Sequence, residues 1–97
     1  MPTHEEWAQF LREFAGLTPQ EQTRFLTAVR KMVTDLRAGK GFKPGLRVKR
    51  VQGHADVYEM TWAPDGRVTF NYGADRRVGE RHIVWRRIGG HDILANP

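Results

Sequence analysis

The residues best suited to chemistry in this chain are basic side chains on the predicted strands of its second half. These residues are Arg47, Lys49, Arg50, Arg67, Arg86 and Arg87. Arginine offers a bidentate fork to phosphate oxygens and lysine a point charge, so together they can stabilise a phosphorane-like transition state. Because alternate residues of a strand share a face, Arg47 and Lys49 are predicted to converge with Arg67 on one phosphate group. The alternative, which spacing alone favours, is a solvated basic surface without a specific ligand.

His91 is a second candidate, placed just after the last predicted strand. An imidazole exchanges protons at neutral pH, so this position suits acid–base work on an RNA 2′-hydroxyl. The alternative is a structural histidine that binds backbone atoms or Asp92. The other histidines lack the spacing of a metal site, there is no cysteine, and no phosphate-binding loop or nucleophile elbow is present. No metal and no other cofactor is therefore predicted.

The charge distribution indicates an anionic partner. Residues 1–38 carry five Lys/Arg and five Asp/Glu, whereas residues 39–97 carry eleven against six and supply the whole net charge of +5. A cationic surface of this kind most often binds nucleic acid or an acidic protein. The chain has neither a signal-peptide pattern nor the roughly 20 apolar residues of a membrane span. A soluble cytoplasmic protein without a membrane partner is predicted.

Two helices are predicted to support the basic segment. The first begins with a capping box of Thr3 and Glu6, followed by an apolar stripe at helical spacing. The second has Thr18 as its N-cap, shows the clearest helical periodicity in the chain and ends before Gly39. Two antiparallel helices joined by a short turn form a predicted helical hairpin over residues 1–38.

A hairpin of strands determines which side chains face these helices. Pairing Ala63 with Arg67 across a Pro-Asp-Gly turn sets Met60 opposite Phe70 and all apolar side chains of the hairpin on one face. The other face is predicted to be polar and open to water. It would carry Glu59, Thr61, Arg67, Thr69 and Asn71. The facing of the last strand, residues 82–88, is left open by its pattern, which suits a central strand buried on both sides.

The predicted fold class is α+β. One domain spans residues 1–97, with the helical hairpin packed on one face of a small, mainly antiparallel twisted sheet. That sheet has three or four strands and lies within residues 46–94.

The order of these segments resembles the RelE/ParE toxin superfamily over about residues 18–94. The segments that carry the resemblance are Leu46–Gly53, Asp56–Met60, Gly66–Phe70 and Ile88–Ile93. The resemblance implies a toxin of a type II toxin–antitoxin system that cuts mRNA on the ribosome without a metal ion. It implies an antitoxin, encoded nearby, as the protein partner, with the ribosome and mRNA as the other partners.

The resemblance also assigns roles to individual residues. Lys49, Arg67 and His91 match catalytic positions of the ribonuclease branch, in which basic residues assist attack of a 2′-hydroxyl on the adjacent phosphate. The expected RNA-binding residues are Arg47, Arg50, Arg86 and Arg87.

Three departures from the family pattern leave alternatives open. The chain is predicted to lack the N-terminal strand, Gly90 stands where some relatives carry lysine, and no tyrosine follows His91. One alternative is a gyrase-inhibiting toxin of the ParE type without nuclease activity. The other is a non-catalytic RNA-binding or regulatory domain on the same scaffold, because a fold does not determine an activity.

Overall fold

A computed structural model describes residues 2–39 and 41–97, in which two helices pack on one face of a five-stranded sheet. In chain order the elements are β1 (Thr3–Glu6), α1 (Ala8–Ala15), α2 (Pro19–Ala38), β2 (Lys49–Arg50), β3 (Tyr58–Thr61), β4 (Gly66–Arg77) and β5 (Glu80–Gly90). A first 3₁₀ helix (Pro44–Leu46) precedes β2, and a second 3₁₀ helix (His91–Ala95) follows β5. The strand order is β1-β5-β4-β3-β2, with β1 parallel to β5 and the other pairs antiparallel.

The α+β class is confirmed, but the sheet is mixed and larger than predicted. The difference comes from the first residues, where Thr3–Glu6 forms strand β1 and not a helix cap. Helix α1 begins only at Ala8, after an extended Trp7 that makes no side-chain capping bond. β1 is short and polar and lies at the edge of the sheet, so it lacks the alternating apolar residues that predict a strand. Without that signal, Thr3 and Glu6 were interpreted as a capping box. The expectation that the N-terminal strand is absent is therefore wrong.

Helix α2 forms as predicted. The Thr18 hydroxyl accepts a hydrogen bond from the Glu21 backbone N–H at 3.2 Å, and the Glu21 carboxylate accepts one from the Thr18 N–H at 2.8 Å. The helix ends at Gly39, whose φ of 69° lies in the left-handed region that glycine adopts without strain. Its buried apolar side chains are Phe25, Ala28 and Met32.

The β3–β4 hairpin has the predicted faces in a register shifted by two residues. Met60 lies opposite Val68, and the Trp62 N–H donates to the Gly66 carbonyl at 3.2 Å to close a loop of residues 63–65. A shift of two leaves every side chain on its predicted face. Gly66 is required here, because a Cβ at this position would lie 2.7 Å from the Trp62 indole.

A β-bulge explains the ambiguous facing of the last strand. β5 is central in the sheet, and Thr69 pairs with Arg87 while Phe70 pairs with Trp85, which leaves Arg86 as an extra residue. The extra residue reverses the alternation, so side chains on both sides of the bulge enter one core. These are Ile83, Trp85 and Ile88.

The face of the sheet away from the helices is partly covered. Glu59 and Thr69, predicted to face water, are only 5% and 0% exposed. The second 3₁₀ helix packs beneath β4 and β5 and buries Ile93, whose Cγ2 would lie 3.0 Å from a Cβ on Gly89. The prediction of an open polar face is therefore wrong for Glu59 and Thr69.

Candidate functional site

A cleft of about 660 Å³ opens between β2 and the second 3₁₀ helix. We call it the cleft; its lining residues include Lys49, Arg50, Gln52, Glu59, Arg67 and His91. It contains all three predicted catalytic residues, together with one of the four predicted RNA-binding residues.

Strand pairing brings these side chains together. Lys49 on β2 lies opposite Glu59 on β3, and Glu59 lies opposite Thr69 on β4, so the three side chains share one face. Arg67 stands two residues before Thr69 and reaches Glu59 diagonally. His91 directly follows β5. Because the start of β4 pairs with the end of β5, His91 lies at the same end of the sheet as Arg67.

Arg67 is held in place by the protein. Its Nε lies 3.9 Å from Glu59 Oε1, and its Nη1 donates to the carbonyls of Gly66 at 3.0 Å and Pro64 at 3.4 Å. The side chain is only 15% exposed. A guanidinium fixed in this way loses less conformational entropy when it binds an anion. Glu59 was not predicted as a site residue. Its only signal in the sequence is that it is a carboxylate on the same predicted face as Arg67.

His91 is positioned through its backbone. Its N–H donates to Asp65 Oδ1 at 3.4 Å, while its exposed imidazole makes no hydrogen bond to any described residue. Asp65 also fills the space beside Gly90, where a Cβ would lie 2.6 Å from Asp65 Oδ2. The glycine at position 90, where some relatives carry lysine, thus accommodates the carboxylate that anchors His91.

The remaining cations of the cleft are Lys49 and Arg50. Lys49 is exposed, and no carboxylate oxygen of the described residues lies within 4.0 Å of its ammonium group. Arg50 lies 6.0 Å from the Tyr58 ring centroid, and hydrogen bonding to Tyr58 raises the pKa of its guanidinium above the ordinary value. Both residues therefore present positive charge to an anion in the cleft.

Arg47 lies outside the cleft. The strand predicted at residues 46–51 is reduced to Lys49–Arg50, because Leu46 ends a 3₁₀ helix and Arg47 adopts a left-handed backbone with φ 48°. Strand alternation does not apply to such a residue, so the prediction that Arg47 and Lys49 share a strand face is wrong. Arg47 lines a separate groove on the helix side, which also includes Arg67.

Arg86 and Arg87 also lie away from the cleft. The Arg86 guanidinium lies 4.0 Å from the Trp7 ring centroid and donates to Asn71 Oδ1 at 3.1 Å, and burial lowers its pKa. Arg87 donates to Glu13 Oε2 at 2.7 Å. Both side chains connect β5 to other parts of the fold, so the structure does not group them with the predicted catalytic residues.

The described residues contain neither a cluster of metal ligands nor a helix that could span a membrane. Within residues 2–39 and 41–97, no group of three or more His, Asp or Glu side chains is arranged to hold a metal ion. None of the helices in that part of the chain has the length and apolarity to cross a lipid bilayer.

Comparison with solved structures identifies the fold. A copper-bound mutant toxin from Helicobacter pylori superposes with a TM-score of 0.67 and 16% identity, over 97% of this chain and 99% of that chain. A chain of the Escherichia coli DinJ–YafQ toxin–antitoxin complex gives 0.62 and 14%, over 96% of both chains. A chain of the Methanococcus jannaschii RelB–RelE antitoxin–toxin complex gives 0.62 and 11%, over 94% of both.

These matches confirm the fold implied by the resemblance. No family model matches the sequence, and no curated protein matches it. The chain has the fold of RelE-like toxins over nearly its whole length.

Proposed function

We propose that this protein is the toxin of a type II toxin–antitoxin system and acts as a metal-independent endoribonuclease on ribosome-bound mRNA. The observation that carries the proposal is the grouping of Lys49, Arg67 and His91 around one cleft of a RelE-like fold. A guanidinium and an ammonium can stabilise the charge of a phosphorane and an imidazole can transfer the protons, so these groups suffice for phosphate transesterification without a metal ion.

The proposed reaction is an internal transesterification of RNA. The 2′-oxygen bonds to the adjacent phosphorus, the bond from phosphorus to the 5′-oxygen breaks, and the products are a 2′,3′-cyclic phosphate and a 5′-hydroxyl. Arg67 and Lys49 bind the non-bridging oxygens, whose negative charge grows as the phosphorane forms. His91 protonates the leaving 5′-oxygen, while the 2′-proton passes to solvent. Glu59 acts as a positioning residue that keeps Arg67 directed into the cleft.

The proposal includes a cognate antitoxin and a cytoplasmic location. Two of the similar solved structures are toxin–antitoxin complexes. An acidic or amphipathic segment of the antitoxin would cover the basic surface and block the cleft. The substrate, mRNA on the ribosome, places the protein in the cytoplasm.

Controlled expression in a bacterial host tests the proposal. The chain is expected to arrest growth, and Arg67→Ala or His91→Ala is expected to relieve the arrest. Arg30→Ala is the matched control, because Arg30 is exposed on α2 and lines neither the cleft nor the groove. If both cleft variants stay fully toxic at equal protein levels, the assignment of the site is wrong.

Mapping of mRNA ends identifies the class of toxin. New 5′-hydroxyl ends within coding regions are expected soon after induction. Intact transcripts with a DNA-damage response would instead support a gyrase inhibitor. Harmless expression with salt-dependent RNA binding would support a non-catalytic RNA-binding domain.

A further inference from the structure

A second concave surface lies on the helix side of Arg67. It has a volume of about 820 Å³ and is bounded by α2, the first 3₁₀ helix and the β3–β4 turn; we call it the α2 groove. Its basic lining residues are Arg24, Lys31, Lys43, Arg47 and Arg67. No acidic residue of the described chain lines it.

Apart from Arg67, which pairs with Glu59, the basic side chains of the α2 groove are not neutralised by the protein. Among the described residues, no carboxylate oxygen lies within 4.0 Å of the side-chain nitrogens of Arg24, Lys31, Lys43 or Arg47. Arg24 and Lys31 are seven residues apart on α2, which places them about 10 Å apart along the helix axis on the same side. The groove therefore presents an extended row of positive charge.

A buried donor in the wall of the α2 groove also lacks a partner. Trp62 lines the groove and is 8% exposed, and its indole Nε1–H has no acceptor among the described residues. Buried N–H groups are almost always hydrogen-bonded in folded proteins. The row of unpaired cations in the groove calls for a ligand rich in anionic oxygen atoms.

We infer that the α2 groove binds the single-stranded RNA that flanks the scissile phosphate; this inference rests on the proposed function. Arg67 lines both the groove and the cleft, so a phosphate bound at Arg67 places the neighbouring nucleotides at the mouth of the groove. Basic grooves that follow the backbone are the usual means of binding single strands.

The unpaired positive charge of the α2 groove favours a polyanion such as RNA over an uncharged amphipathic protein helix. A helix bound in a groove needs apolar anchor contacts at intervals of three or four residues. The large apolar side chains that the described residues expose are Trp7, Leu11, Leu26 and Val78. None of these lines the α2 groove.

RNA binding by the full chain carrying His91→Ala tests the inference, because this background is expected to bind RNA without cutting it. Fluorescence anisotropy would compare a labelled trinucleotide, which fills the cleft alone, with a labelled decanucleotide. Adding Arg24→Gln and Lys31→Gln is expected to weaken decanucleotide binding about tenfold at low salt. The slope of log K against log salt should become shallower by about 1.4, since each single-strand phosphate contact contributes about 0.7. Trinucleotide binding should change less than twofold.

The matched control adds Arg12→Gln and Arg30→Gln, which remove the same charge from exposed helix positions outside both surfaces. If the control weakens the decanucleotide as much as the groove variant does, the effect is one of net charge and the inference is wrong. The inference is also wrong if the groove variant binds a decaglutamate peptide with altered affinity while its affinity for RNA stays unaltered. Loss of trinucleotide binding upon Lys49→Ala tests the cleft separately, because Lys49 lines the cleft and not the α2 groove, so the two proposals can fail independently.

Discussion

Arginines occur on both sides of the sheet, but their carboxylate and aromatic partners are closer on the β5 side than near the cleft, where Arg67 lies 3.9 Å from Glu59 and Arg50 lies 6.0 Å from the Tyr58 ring centroid. Arg76 lies 3.2 Å from Glu5 Oε1, and the Arg81 guanidinium lies 3.9 Å from the Tyr72 ring centroid. Arg86 and Arg87 complete this set, and Arg87 is bound to Glu13. On the β2 side and in the α2 groove, most of the basic side chains lack any such partner within the described residues.

The difference shows that net charge is a poor guide to the location of a binding surface. An arginine already bonded to a carboxylate or stacked on an aromatic ring contributes to stability and offers little to a ligand. A cation without an internal partner contributes little to stability and remains available to a phosphate. The basic residues behind the net charge of +5 thus form two groups. One group stabilises the fold, and we assign the other to RNA binding.

The largest expected effect comes from Arg67→Ala, because Arg67 lines both the cleft and the α2 groove. Loss of this oriented guanidinium should lower the single-turnover rate of mRNA cleavage on ribosomes by about 100-fold or more. The change also removes the ion-pair partner of buried Glu59, so the urea unfolding of the variant is measured beside its rate. A rate within twofold of the unsubstituted protein would contradict the division of arginines described above.

Gly90→Ala tests how tightly His91 must be held. The new Cβ would force Asp65 to move from its 2.6 Å position and weaken its bond to the His91 N–H. Cleavage should slow by about tenfold, since small displacements of a catalytic group cost one to two orders of magnitude. Gly89→Ala, which meets only a 3.0 Å contact with Ile93, is the comparison variant. Equal cleavage rates for Gly90→Ala and Gly89→Ala would contradict the positioning role of Asp65.

Arg87→Ala addresses the paired set. Its partner Glu13 is about one-fifth exposed and also accepts the Ile88 backbone N–H at 3.2 Å. Removing the guanidinium should lower the free energy of unfolding by about 1–3 kcal/mol, as measured with urea. The cleavage rate of the folded variant should be unchanged. If Arg87→Ala loses activity and keeps its stability, Arg87 belongs to the RNA-binding residues, as predicted in the sequence analysis.

The smallest effect concerns pH and the junction of β1 with β5. A hydrogen bond from His82, assisted by the charge of Arg76, lowers the pKa of Glu5 below its ordinary value of 4.5. Because the folded state favours ionised Glu5, this stabilisation is present above that ordinary value and is lost as pH falls through the lowered pKa. Glu5→Gln should therefore flatten the decline in unfolding free energy below about pH 5. Asp75→Asn, at an exposed position on β4, should leave the decline unaltered.

Local patterns were enough to predict α2 and the shared face of Lys49 and Arg67, whereas the catalytic assignment of His91 rested on the family resemblance. The cap at Thr18 and the alternation around Met60 are encoded within a few residues. The partners of Arg86 and Arg87 could not be predicted in this way, because Trp7 and Glu13 reach them only when α1 packs beside β5. The left-handed backbone of Arg47 has no sequence signal of its own, since this conformation is uncommon for residues other than glycine.

The parallel pairing of β1 with β5 has a consequence for how the molecule is assembled. Thr3 binds His82 across 79 positions of sequence, so β1 remains unpaired until β5 has been synthesised. Contacts of such long range slow folding, because closing a long loop is entropically unfavourable. His91 follows β5 and enters the cleft after it. The cleft is therefore complete only once almost all of the described sequence has been synthesised.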